Sequence, residues 1–299
     1  MARLDHAADL RAVTGAATVL VNAAGPFAVT SAPLIEACIH TGTHYLDISG
    51  ETDVVESTWN WHAAAMARGI MLMPGAGFEV VASDCLASHV ARRVPGARTL
   101  KLGFDKSDAA SRGSLKTCLE MSGQGVLIRR DGKLVRLPAG SLASPFDYGY
   151  GPQLSLGVSL PDTSSAFVST RIPNIETYLR ATLPVASAVA ANQFWGWLLA
   201  APPWKAFMQA QVDCVFPDPS PESRRAGWAT IVGEVTDTYG RCARSRLRTG
   251  DVYAFTAESS VAVAERCLSG EVKPGVQTPS QMYGPDFALS FDRVRREDF

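Results

Sequence analysis

Residues 19–27, Val-Leu-Val-Asn-Ala-Ala-Gly-Pro-Phe, constrain the fold more than any other stretch of the chain. Thr18 to Asn22 is a short, apolar, β-branched run, which predicts a strand buried on both faces. It ends in small residues and a proline, and a helix is predicted over 31–41. Ser31 would cap that helix, Pro33 would sit in its first turn, and Gly42 would end it. Leu34, Ala37, Cys38 and Thr41 would form its inner face. The same unit recurs twice. A strand over 44–48 leads to a helix over 56–68 stopped by Gly69. A strand over 70–73 then leads to a helix that Ser83 or Asp84 would cap and that runs to Val94. Leu86, Ala87, Val90, Ala91 and Val94 give this last helix its apolar stripe. With a short helix over 9–13 in front, the alternation implies a parallel sheet with right-handed crossovers.

After Pro95-Gly96 the pattern changes. A strand is predicted over 99–104 and a helix over 113–121, beginning at Gly113-Ser114-Leu115-Lys116-Thr117. Arg130-Asp131-Gly132-Lys133 reads as a hairpin turn. Further strands are predicted over 166–172, 230–235 and 241–247. Such clustering suggests a mostly antiparallel sheet with helices on one side. Ala257, Val261, Ala264 and Leu268 mark one face of a late helix expected to pack back on the first unit. The fold class expected is therefore α/β: a parallel sheet followed by an α+β domain. The boundaries are 1–96, 97–250 for a substrate or oligomerisation domain, and 251–299 for the returning helix and tail.

Composition narrows the function. A net charge of −1 gives no electrostatic case for nucleic acid. The six cysteines form no C-x-x-C pair and read as reduced core residues of a cytoplasmic protein. The opening residues hold no apolar signal region. The stretch between Arg180 and Lys205 carries no charge but is broken by Pro184, Pro202 and Pro203. It reads as buried helices or a greasy wall of a substrate site rather than a membrane span, and peripheral lipid contact is the lesser reading.

In open parallel sheets, ligands bind beyond the carboxyl ends of the strands. Three segments fall there. Asn22 to Phe27 would let a flat ligand approach the backbone, with the helix N-terminus near Ser31 offering free N–H groups; a tight turn needing Gly and Pro for shape explains it equally well. His44 to Glu51 carries Asp47, a candidate for orienting a ligand amide or ribose, against a structural hydrogen bond or an N-cap. His44 lies at the wrong end of its strand for catalysis. Pro74 to Val80 contains G-x-G but has Val80 where a phosphate fingerprint needs Gly or Ala. It reads as a loop flanking a ligand, with Phe78 either covering a ring or filling core. The five histidines lack metal-ligand spacing, and neither a G-x-S-x-G elbow nor a Tyr-x-x-x-Lys pair occurs.

Taken in order, residues 19–27, Glu-Ala-Cys at 36–38, Gly-Thr-His-Tyr-Leu-Asp-Ile-Ser-Gly-Glu at 42–51 and 74–86 resemble the saccharopine dehydrogenase-like oxidoreductases. The trans-acting enoyl reductases are the branch that looks closest. Residues 169–178, 219–224 and 278–284 extend the resemblance over essentially the whole chain. It implies a Rossmann domain binding NAD or NADP, a substrate domain, and hydride transfer to a small and apolar, enoyl- or lipid-like molecule. Ala24, Gly25, Pro26 and Phe27 would lie on the nicotinamide side with Asp47 close by, and Gly77 and Phe78 would border the reacting ring. No residue is assigned a catalytic role, no metal is expected, and a homodimer is the expected assembly if the chain self-associates. The sequence departs from the family at Glu79, usually Asp, and at Ala82, usually Pro. It also shows no Gly-rich strand-turn-helix before Val19, so about 60 residues of the family's plan are expected to be missing. The alternative reading is therefore a non-catalytic remnant, binding module or fragment that does not bind NAD(P).

Overall fold

A computed structural model describes residues 3–107, 112–215, 220, 222 and 226–299. Helix α1 (Ala7–Thr14) precedes strand β1 (Val19–Asn22), helix α2 (Phe27–Thr41) and strand β2 (His44–Asp47). Helix α3 (Thr52–Thr58), a 3₁₀ turn over Trp59–Trp61 and helix α4 (His62–Arg68) lead to β3 (Met71–Met73) and α5 (Phe78–Arg93). Strands β1, β2 and β3 pair side by side in parallel, and β12 (Gly275–Val276) joins beyond β3, also parallel.

The second sheet is mixed. Its order is β13 (Arg295–Asp298), β11 (Cys242–Thr249), β10 (Ala229–Thr236), β4 (Thr99–Lys106), β9 (Asn174–Arg180), β5 (Val126–Arg130) and β6 (Lys133–Leu137). All neighbours along it are antiparallel except β4 and β9. The hairpin of β7 (Ala143–Asp147) and β8 (Pro152–Gly157) adds to β9. Asp131 and Gly132 join β5 to β6 with φ of 49° and 78°, the left-handed pair that a tight two-residue hairpin requires.

Helix α5 ties the two sheets together. One continuous core runs from Leu46, Met71 and Met73 of the parallel sheet through Val81, Cys85, Leu86 and Val90 of α5 to Leu100, Leu102 and Ile231 of the mixed sheet. A second core, with Ile35, Cys38, Tyr45, Ile70 and Leu72, lies under α2 and α4 on the other face of the parallel sheet. Helix α10 (Val252–Leu268) packs against β1, β2 and α5.

Several expectations are corrected. Strand β1 is not buried on both faces; among the described residues it has one strand neighbour, and Val21 is 39% exposed. Helix α2 starts four residues earlier than its sequence signals, so Ser31 and Pro33 lie inside it rather than at its cap. The helix predicted over 56–68 starts at Thr52 and breaks at Trp59–Trp61. Ser83 and Asp84 do not cap α5 but sit buried in its middle, and Gly77 is the N-cap. Residues 166–172 are not a strand. They belong mostly to α7 (Asp162–Thr170), which packs on α5, and β9 takes the strand position instead. Tertiary packing overrode the β-branched pattern there. The buried face of α10 is Val252, Phe255, Ser259, Val263 and Cys267; Val261 and Leu268 point outward. Finally, the charge-free stretch forms α8 (Leu183–Leu199) and continues into α9 (Pro202–Val215), but α8 contains no buried residue. Helix α6 (Arg112–Met121) covers the predicted 113–121 and packs on α9. Most of block 219–224 lies outside the described residues.

Candidate functional site

Because β1, β2 and β3 run parallel and adjacent, the loops leaving their carboxyl ends converge. A buried polar chain fixes them to one another. Asn22 Nδ2 donates to Thr30 Oγ1 at 3.0 Å and to the Tyr45 hydroxyl at 3.2 Å. Its Oδ1 accepts the Ala24 N–H, and Thr30 Oγ1 donates to the Ala24 carbonyl, so both ends of the Ala23-Ala24 turn are held. Tyr45 in turn donates to Asp47 Oδ2 at 2.9 Å. Asp47 Oδ1 accepts N–H groups from Ser49 at 3.0 Å and Gly75 at 2.8 Å, and the Asp47 carbonyl accepts that of Ala76. Asp47 thus couples the second and third loops directly, and the first through Tyr45 and Asn22.

Burial pushes the Asp47 carboxyl up to about 6, against the hydrogen bonds from Gly75, Ser49 and Tyr45 that favour its charged form. Gly75 takes φ of +74°, and a Cβ there would clash with the Val80 side chain. Its glycine is required by both the backbone angle and the close approach.

The expected site residues divide into two layers. Ala24, Gly25 and Pro26 are exposed and Phe27 is half-buried, so they form an open surface. Asp47, Gly77 and Phe78 are buried. Phe78 meets the Phe255 ring edge-on at 6.0 Å in the core, and its N–H donates to Thr256 Oγ1. His44 uses Nδ1 to accept the Met71 N–H at 2.9 Å, far from the loops, and burial holds its pKa below the usual imidazole range.

Glu51 has a role that its sequence position did not suggest. Its two carboxylate oxygens accept the N–H groups of Phe27 at 3.2 Å and Ala28 at 3.0 Å. It caps α2 from the neighbouring loop, which is why the helix can begin before Ser31. The helix end expected to offer free N–H groups to an anion is therefore filled by a carboxylate of the chain itself. The small residues Ala23, Ala24 and Gly25 fit a flat ring lying on the backbone, whereas the α2 terminus does not fit a phosphate.

Lys106, at the end of β4, was also missed; a lone lysine at a strand end carries no sequence signal. Its Nζ lies 3.8 Å from Glu79 Oε1, both side chains being about one-third exposed, at 35% and 38%. A Cβ placed on Gly50 would meet Glu79 Oε2, so this carboxylate overhangs the second loop. Nearby, Glu56 Oε2 accepts from Arg129 Nη2 at 2.7 Å and from the Ser164 hydroxyl at 2.5 Å. Arg129 also donates to the carbonyls of Thr163 and Gly132, and its guanidinium lies over the Phe167 ring at 4.3 Å. This cluster joins α3 to β5 and α7. No group of three or more metal-ligating side chains occurs among the described residues.

A parallel sheet with converging carboxyl-end loops, joined to a mixed sheet through one buried helix, is a Rossmann-like α/β architecture. Apo saccharopine dehydrogenase (L-Glu forming) from Saccharomyces cerevisiae shares this fold: it superposes with a TM-score of 0.61 over 99% of this chain and 88% of its own, at 11% identity. Residues 2–73 match the family model for the saccharopine dehydrogenase NADP binding domain. A saccharopine dehydrogenase-like oxidoreductase of Bos taurus is 31% identical over 102 residues, covering 34% of this chain and 24% of that protein. A trans-acting enoyl reductase of Mycobacterium leprae is 35% identical over 94 residues, covering 31% of this chain and 22% of that protein. Over residues 2–73 the chain matches the saccharopine dehydrogenase NADP binding domain, and its aligned stretches span about a quarter of these curated relatives' length.

Proposed function

We propose that this chain carries the nicotinamide and substrate side of an NAD(P)-dependent oxidoreductase acting on a small, apolar molecule of enoyl or lipid type. The observation that carries this reading is the convergence of the three strand-end loops through Asp47, Tyr45 and Asn22. The open surface of Ala24, Gly25, Pro26 and Phe27 would receive the nicotinamide, with Gly77 and Phe78 supporting it from behind. Asp47, being buried, would act by fixing the loops rather than by touching the ring. When bound, the nicotinamide supplies or accepts a hydride. Glu79 overhangs Gly50 of the second loop with Lys106 3.8 Å away, and the pair suits delivery of the accompanying proton: the ammonium would donate it, and the carboxylate would hold the lysine in place. Calorimetric titration of the chain with NADH and NADPH tests the reading. Saturable heat with either cofactor supports it, and silence with both at millimolar concentration removes it.

The second reading is a binding module, remnant or fragment of a longer enzyme that does not take NAD(P). It is favoured by Glu51, whose carboxylate fills the only helix N-terminus beside the first loop among the described residues. On this reading the chain melts cooperatively with a midpoint that neither cofactor shifts.

A further inference from the structure

The outer face of the mixed sheet, turned away from α5, carries an arginine that the fold leaves unmatched. Along β11, Ala243 and Leu247 enter the core shared with α5. Successive side chains of a strand alternate, so Arg244, Arg246 and Arg248 point to the other side. Arg246 is 7% exposed, yet its Nε has no hydrogen-bond partner among the described residues. Its guanidinium packs on the Phe299 ring, 4.7 Å from the centroid. An arginine stays charged in any protein environment, and a buried charge left without a partner is costly.

A second guanidinium stands beside it. Arg246 Nη1 and Arg248 Nη2 converge on Gly149, in the turn between β7 and β8, so closely that a Cβ there would strike both. Gly149, at φ +110°, leaves that space open. Arg248 is exposed and donates to the Tyr148 carbonyl at 3.2 Å. Arg295 of β13 is the cross-strand partner of Arg248 and shares its face.

The acids of this face are committed elsewhere. Asp147 Oδ1 accepts the N–H groups of Gly149 at 2.8 Å and Gly151 at 3.0 Å. Its carboxyl is held below the usual range mainly by the Gly149 N–H, with Arg246 contributing through space. Glu234 accepts from Arg244 Nε at 2.6 Å, and Asp105 is taken by the Tyr150 hydroxyl and Arg180. Glu297 stands opposite Arg246 on β13. Even so, no carboxylate makes an ion pair with Arg246 or Arg248 among the described residues. Adjacent guanidiniums without an acid between them suit an oxyanion. One guanidinium satisfies a carboxylate, whereas a phosphate dianion, with more oxygens and more charge, engages several.

We propose that Arg246 and Arg248, beside the Gly149 turn and with Arg295 at the rim, bind a phosphate dianion, either free or as the terminal group of a phosphomonoester. The site is independent of the hydride-transfer reading, since none of these residues belongs to the strand-end loops.

The test is thermal unfolding and calorimetric titration of the full chain with inorganic phosphate and, in parallel, glycerol 3-phosphate, each against sodium chloride of matched ionic strength. The expected result is saturable protection by phosphate that chloride does not give. Phosphate affinity should fall roughly tenfold or more in Arg248→Ala and in Arg246→Met. Arg248 is exposed, and methionine keeps the packing of the Arg246 stem, so both variants should hold the parent's midpoint in chloride. Tighter binding of glycerol 3-phosphate than of phosphate assigns the site to a phosphorylated small molecule, and equal or weaker binding assigns it to the free ion. Three outcomes overturn the proposal: no protection beyond that of chloride, protection undiminished in either variant, or a dimer that Arg248→Ala dissolves while phosphate binds neither protein.

Discussion

The Tyr45 hydroxyl donates to Asp47 Oδ2 at 2.9 Å, and both side chains are completely buried. Through this contact the strand that carries them holds three loops at once. Asp47→Ala would leave the Ser49 and Gly75 N–H groups buried without their acceptor, at about 1–3 kcal/mol each. Chemical denaturation is expected to show a loss of about 2–5 kcal/mol. A loss no greater than that of an ordinary surface substitution would mean the loops hold without it.

Removing the Glu51 carboxylate has two separable effects. Glu51→Ala uncaps α2, which is expected to lower stability by about 1 kcal/mol. It also frees the Phe27 and Ala28 N–H groups, so inorganic phosphate should protect the variant against thermal unfolding more than it protects the parent. Equal protection of both proteins would show that the helix end was never closed.

Asp162 is fully buried, and burial raises its carboxyl to about 8, with Asp84 nearby raising it further and Ser83 opposing. A raised carboxyl binds its proton more tightly in the folded state than in the unfolded one. Its contribution to stability is full below the unfolded value near 4 and is lost as pH rises through the folded value near 8. Asp47 adds the same sign over a narrower window, from near 4 to about 6. Between about pH 6 and 8 the urea midpoint should therefore fall with pH, and Asp162→Asn should flatten that slope. A parent midpoint that stays level across this range would contradict the assignment.

Arg129 is 4% exposed and bound to Glu56, Thr163 and Gly132. Arg129→Ala strips hydrogen-bond donors from two buried or half-buried carbonyls, while Glu56, 40% exposed, is solvated without its cation, so about 2–4 kcal/mol should be lost in denaturation. Arg129→Lys should recover only a part, because an ammonium cannot reproduce the planar fork.

Much of this was legible in the residues. Three strands and their carboxyl-end loops could be placed from 19–27, 44–51 and 70–80, since short apolar runs ending in small residues have few other uses in an α/β pattern. The Asp131-Gly132 hairpin was legible because its turn demands left-handed residues. What failed depended on contacts distant in sequence. The start of α2 is set by Glu51 rather than by Ser31. Residues 166–170 are helical because they pack on α5, against their own β-branched pattern. Lys106 reaches Glu79 only once β4 lies beside α5. Helix α8 was expected to be buried because it is apolar, and nothing in its sequence says on which side its aromatic rings emerge.

On the proposed function, the loops at 22–27, 48–51 and 74–79 flank a nicotinamide. Hydrogen–deuterium exchange of the full chain, with and without millimolar NADPH and NADH, tests it most directly. Slower exchange is expected with at least one cofactor in peptides covering Ala23–Ala28 and Ile48–Glu51, with no change in the β10–β11 pair. Unchanged exchange in those loops at millimolar concentrations of both cofactors, or protection confined to the mixed sheet, would contradict it.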